Sequence, residues 1–148
     1  MVSKLKSVIA YLSYSGNTKE VAEFIEEKLI YEGVKVDIHR IGIDMPIHPE
    51  EYDYVFLGTF TWDRGSTPDE VKDFVLEIGY KPDNMAVFGT GDTQFGGDEL
   101  FCRAVDKLVH FYNSQWPGLK VEQSPRGSQE AMIGKWVEGV LQDAKSYA

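Results

Sequence analysis

Hydroxyl and amide side chains crowd around one glycine in the stretch Ser13-Tyr14-Ser15-Gly16-Asn17-Thr18. It follows an apolar run, Val8-Ile9-Ala10-Tyr11-Leu12, and precedes Val21, Ala22, Phe24, Ile25 and Leu29, which repeat at helical spacing. A strand-to-helix turn of this composition aims backbone N–H groups, hydroxyls and the positive end of a helix at one point, which suits a phosphate. The stretch lacks the Gly-Lys-Ser/Thr ending of a nucleotide-hydrolysing loop, and Lys19 falls inside the helix. The expectation is a monophosphate held by uncharged donors, without Mg²⁺ and without phosphoryl transfer.

Two further loops carry aromatic rings and small polar residues. One runs Thr59-Phe60-Thr61-Trp62, the other Thr90-Gly91-Asp92-Thr93-Gln94-Phe95-Gly96-Gly97. Large rings on loops ordinarily cover the core, because burial is where they gain most. Here Trp62 and Phe95 fall on two loops beside a phosphate turn, where they can sandwich a flat heterocycle. The glycines let backbone approach its edge. A phosphate, a polar tail and a flat ring describe a mononucleotide-like ligand, with flavin mononucleotide (FMN) the natural candidate.

The elements that must position these loops alternate between strand and helix. Helix one is expected over Asn17–Tyr31, with Asn17 and Glu20 at capping-box spacing and Gly33 as its stop. Val34–His39 alternates as a half-exposed edge strand, and Tyr54–Thr59 reads as a central strand. Thr67-Pro68-Asp69-Glu70 offers a cap, a proline at the first helical position and an acidic first turn. Met85–Gly89 is the fourth strand. Helix three is expected from near Asp98, burying Phe101, Ala104, Val105 and Leu108. A short strand, Leu119–Gln123, and a last helix, Ser128–Ser146, complete the series. Five strands and four following helices imply an α/β architecture, a three-layer doubly wound parallel sheet within a single domain spanning 1–148. Ligands of such sheets bind beyond the carboxyl ends of the strands, where all three loops fall.

The chain has 148 residues, 43% hydrophobic and 26% charged, with a net charge of −9. That balance disfavours nucleic acid and anionic membranes and favours a basic protein partner. No apolar run approaches the ~20 residues of a membrane span. The N-terminus leads straight into the first strand without a signal-peptide pattern, and a lone cysteine, Cys102, forms no internal disulfide; both suit a cytoplasmic protein. Cys102 reads as a buried structural thiol one turn into helix three. His39, His48 and His110 show no metal-ligand spacing and read as surface or loop residues. No nucleophile, base and orienting acid come together, which disfavours hydrolysis.

The chain resembles the short-chain flavodoxins over essentially its full length. The matching motifs are Ser13–Thr18, Thr61-Trp62, Thr90–Phe95 and Phe101-Cys102-Arg103-Ala104-Val105-Asp106. The resemblance implies strand order 2-1-3-4-5, flavodoxins being themselves the type example of that order. It implies a monomeric low-potential one-electron carrier with non-covalent FMN, serving a ferredoxin/flavodoxin reductase and redox acceptor proteins. Ser13, Ser15, Asn17 and Thr18, with Tyr14 and the amides around Gly16, would hold the phosphate. Trp62 would cover one face of the isoalloxazine, and Phe95 would take the other, where the family usually has tyrosine. Thr59, Phe60, Thr61 and Asp63 would lie near the ring and ribityl chain, and Thr90, Gly91 and Asp92 at the pyrimidine edge. Asp69, Glu70, Asp92, Asp98 and Glu99 would add negative charge around the ring.

Asp63 stands where the family usually has glycine, on a peptide that flips to meet flavin N5–H, so the one-electron-reduced flavin should be held less well. Arg64 adds a cation that favours an anionic reduced flavin, which implies a less negative second potential. The resemblance also admits an activator of a manganese ribonucleotide reductase, and a small FMN-dependent NAD(P)H:quinone or azo reductase. A cofactor-free receiver domain would need clustered carboxylates after the first strand, where Ser13-Tyr14-Ser15 stands.

Overall fold

Five strands form one parallel sheet in the order β2-β1-β3-β4-β5. They are β1 (Lys6–Tyr11), β2 (Lys35–Arg40), β3 (Tyr54–Phe60), β4 (Met85–Gly91) and β5 (Leu119–Glu122). Among the described residues, four α-helices accompany them: α1 (Asn17–Tyr31), α2 (Asp69–Ile78), α3 (Arg103–Tyr112) and α4 (Ser128–Lys145). The computed structural model describes residues 5–14, 16–60, 67–91, 102–122 and 128–145. Among these, no helix is long and apolar enough to cross a membrane.

Both faces of the sheet are covered, which explains why its central strands read as continuous apolar runs. Ile9, Phe56, Ala86, Phe88 and Val121 face α1 and α4, meeting Val21, Ile25, Leu29, Ile133 and Val137. Val8, Ala10, Val55, Leu57 and Val87 face α2 and α3, meeting Val71, Phe74, Val105 and Leu108. Alternate residues of one strand thus enter two cores. Gly58 pairs in register with Phe88, and a Cβ at Gly58 would lie 2.2 Å from Phe88 Cζ. The missing side chain is what lets the Phe88 ring lie across β3. Trp136 of α4 closes this layer, its ring 5.8 Å from Phe56 and its Nε1 donating to the Pro117 carbonyl at 2.7 Å.

Helix α1 ends as Gly33 predicts. Gly33 has φ +81, Val34 N–H donates to the Leu29 carbonyl and Gly33 N–H to that of Ile30. This is the Schellman pattern, with Leu29 and Val34 both buried in the same core. Asn113 ends α3 in the same left-handed conformation.

Four expectations are corrected. The residue that caps α1 is Gly16, in the left-handed region at φ 96, with no side-chain cap hydrogen bond, and Asn17 is already helical. α2 is preceded by Pro68 in extended conformation, whose carbonyl accepts from Val71 and Lys72 N–H. Thr67 therefore lies one residue before the cap. Cys102 is buried, as expected, but precedes α3 with φ 51 instead of lying one turn inside it.

His39 is also buried, at 4% exposure, its ring 5.5 Å from that of Phe74. Alternation along β2 suggested that Val36 and Ile38 point inward and His39 outward. In a sheet covered on both faces, even the edge strand's second face finds a helix. Ile38 is the large apolar side chain of β2 left exposed, at 40%.

Candidate functional site

The parallel sheet brings the carboxyl ends of β1, β3 and β4 to one edge, and β1 connects onward to β2 on one side while β3 lies on the other. The strand order reverses between β1 and β3, the place beyond whose carboxyl ends ligands of such sheets bind, and the turn after β1 stands there.

Leu12 N–H extends the ladder to the Gly58 carbonyl at 3.1 Å. Ser13 Oγ then accepts from Gly16 N–H at 3.1 Å, closing a short hydroxyl-stapled turn. Gly16 takes φ 96, which a side chain disfavours, and nothing lies within 4 Å of where its Cβ would stand. The chain therefore passes through a glycine-favouring conformation at this point. Its carbonyl accepts from Glu20 N–H at 3.0 Å, starting α1 without a side-chain cap. An α1 N-terminus left in this way presents donors to whatever fills the space.

Thr18 is buried in the first turn of α1. Its Oγ1 lies 2.8 Å from Oγ1 of Thr90, at the end of β4. Thr59 is fully buried, its hydroxyl donating to the Phe60 carbonyl at 2.9 Å. Gly91 ends β4, half-exposed. Tyr14 stands out from the turn, 59% exposed, its ring centroid 4.9 Å from that of the half-buried Phe60. The Tyr14 hydroxyl donates to the carboxylate of Glu70 in the first turn of α2. The structure thus gathers Ser13, Tyr14, Gly16, Asn17 and Thr18 in one turn, with Phe60 beside Tyr14 and Thr90 beside Thr18. Ser15, Thr61, Trp62, Asp63, Asp92 and Phe95, together with Arg64, lie outside the described residues.

Two partners were missed in the sequence. Glu70 was grouped only with fixed charges around a ring, and its contact with Tyr14 spans 56 residues. Thr90, expected at a ligand's edge, also brings its hydroxyl to Thr18 across 72 residues. No local pattern announces either pairing.

The Cys102 thiol, behind β4, lies 3.8 Å from the Gly89 carbonyl and 3.9 Å from that of Val121. Burial pushes its pKa up to about 12, which keeps it a neutral thiol. It packs the underside of the site and offers no nucleophile.

The flavodoxin family model matches residues 9–114 of the chain. Probable flavodoxin 2 of Bacillus subtilis (strain 168) is 37% identical over 134 residues, covering 84% of this chain and 87% of the relative. A solved short-chain flavodoxin, associated with a non-canonical PDU bacterial microcompartment, superposes with a TM-score of 0.84 at 25% identity, over 95% of this chain and 99% of that one. Oxidised flavodoxin 2 from Bacillus cereus superposes with a TM-score of 0.77 at 30% identity, over 93% and 99%.

Proposed function

The chain belongs to the flavodoxin family, FMN-binding electron carriers, and on that premise we propose that it is a low-potential one-electron carrier taking electrons from a reductase and passing them to acceptor enzymes. FMN supplies the redox chemistry, accepting and releasing electrons one at a time. The protein supplies position and electrostatics.

One observation carries the reading of the site: α1 begins at the sheet's reversal point behind a glycine at φ 96, a conformation that disfavours side chains, with nothing within 4 Å of where a Cβ would stand. The chemistry of the donor set fits the FMN phosphate. Ser13, Ser15, Asn17 and Thr18 bring hydroxyls and an amide, and the backbone around Gly16 brings N–H groups, to a place where the helix dipole favours an anion. In this reading Tyr14 and Phe60 flank the turn. Thr59 supports it from below, Thr61, Trp62 and Phe95 hold the ring, and Gly91 and Asp92 meet its pyrimidine edge. Asp63 and Arg64 then set a second potential less negative than that of a relative with glycine after the aromatic. Redox titration of Asp63→Gly and Arg64→Ala checks this, and unchanged couples would remove the idea.

The function is tested by reducing the FMN-loaded protein with a ferredoxin/flavodoxin reductase and NADPH, and following bleaching of the flavin band. Reduction that needs the reductase supports a carrier. Reduction by NADPH alone, with turnover of a quinone, would make the protein a self-sufficient reductase instead.

A further inference from the structure

We propose that Thr90 is a positioning residue for the phosphate end of FMN, acting through the hydroxyl of Thr18; this rests on reading the α1 N-terminus as the phosphate site. Thr18 is the second residue of α1 and Thr90 the sixth of β4. Their side chains are 1% and 3% exposed, and their Oγ1 atoms stand 2.8 Å apart in a buried setting.

A hydroxyl has a single hydrogen to give and two lone pairs to receive. Between two hydroxyls at this distance the hydrogen bond has two polarities. If Thr18 donates to Thr90, Thr18 turns only lone pairs toward the head of the helix, where they repel an anion. If Thr90 donates to Thr18, the Thr18 hydrogen is released for a phosphate oxygen. A bound phosphate selects the second polarity, giving a chain from Thr90 to Thr18 to the anion. Donation by Thr90 also polarises the Thr18 hydroxyl and makes it a stronger donor. Thr90 thereby serves the phosphate without touching it, a different task from meeting the edge of the ring.

Position 90 can do this because of its strand. β4 runs beside β3, and Thr90 pairs in register with Phe60 and with Val121 of β5. Backbone pairing on both sides fixes where its Cα stands. The adjoining Gly89 lets Val105 of α3 close against the strand, since a Cβ there would lie 2.4 Å from Val105 Cγ2. A donor held by the sheet is therefore set against one held by a helix.

The test compares FMN with riboflavin, which lacks the phosphate, by fluorescence titration of the apoprotein. The ratio of the two dissociation constants isolates the phosphate's share of binding. Thr90→Val keeps the shape and removes the hydroxyl. It should lower the ratio of the riboflavin to the FMN dissociation constant by roughly three- to tenfold, the worth of one hydrogen bond, FMN losing more affinity than riboflavin. Thr90→Ser should restore the ratio. Thr18→Val should lower it as well, and adding Thr90→Val to Thr18→Val should lower it no further. If Thr90→Val does not fold, Thr90→Ala carries the same comparison. Equal weakening of both ligands, or an additive double variant, would mean that Thr90 only supports the fold and would overturn the proposal. A wild-type protein that binds riboflavin and FMN equally would overturn the phosphate site itself.

Discussion

The Tyr14 hydroxyl donates to the Glu70 carboxylate, tying the turn after β1 to the first turn of α2. The Tyr14 ring also leans on Phe60, so one side chain joins three segments of the site's margin. Tyr14→Phe keeps the ring and removes the tie. Because the pair is exposed, the expected loss is about 0.5–1 kcal/mol, read as a lower urea midpoint of the apoprotein. Glu70→Gln, which retains an acceptor, should lose less. Equal stability of Tyr14→Phe and wild type would show the tie to be idle.

Glycines at three places should respond in three ways. Gly58→Ala drives a methyl into the Phe88 ring and should cost about 1–3 kcal/mol. Gly16→Ala meets no neighbour but must hold φ 96, costing about 1–2 kcal/mol. It should also weaken FMN binding, because the turn would relax away from that conformation. Gly134→Ala lies within α4 with open space around it and should stabilise the protein by about 0.5–1 kcal/mol. Thermal or urea unfolding ranks the three, and a neutral Gly58→Ala would contradict the packing described for Phe88.

His39 gives stability a pH dependence with a definite sign. Burial lowers its pKa, against the smaller raising effects of the Asp44 and Glu77 carboxylates and of a hydrogen bond with the Met45 backbone. The folded chain therefore prefers the neutral ring, while the unfolded chain takes a proton near the ordinary value of about 6.5. As pH falls from about 6.5 through the lowered folded value, the unfolded state binds more protons and stability drops. His39→Gln removes this component. Urea midpoints taken between pH 7.5 and 5 should slope less in the variant, and parallel slopes would show that His39 is not the source.

Cys102 should resist thiol reagents in the native state. Its side chain is fully buried and its pKa stands at about 12, so thiolate is scarce and access is closed. Ellman's reagent should react only as fast as the protein unfolds, with full stoichiometry in guanidinium. Rapid labelling of the folded protein would contradict the placement of this thiol.

What was legible in the sequence was the alternation of elements and the extent of α1, because periodicity and a terminal Gly33 are local signals. The sheet order came with the family resemblance. The caps before α1 and α2 were misplaced because a cap is decided by backbone angles. Gly16 turns left-handed and Pro68 stays extended, so Asn17 and Thr67 are displaced from a role their chemistry would suit. His39 was misread because covering both faces of an edge strand is a property of the whole sheet. Thr18 with Thr90, and Tyr14 with Glu70, join segments far apart in the chain, and only the assembled strands make them neighbours. Trp62 and Phe95 lie outside the described residues, so the sandwich expected of them stands as part of the proposal.

The Phe88 ring occupies the room that a side chain at Gly58 would need. Among descendants of a common ancestor, these two sites are therefore not free to drift separately. A lineage that shrinks the aromatic opens room for a methyl opposite it, and one that gains the methyl first must pass through a weakened intermediate. Changes at the pair are therefore order-dependent: shrinking the ring first avoids the clash that a methyl at position 58 would meet.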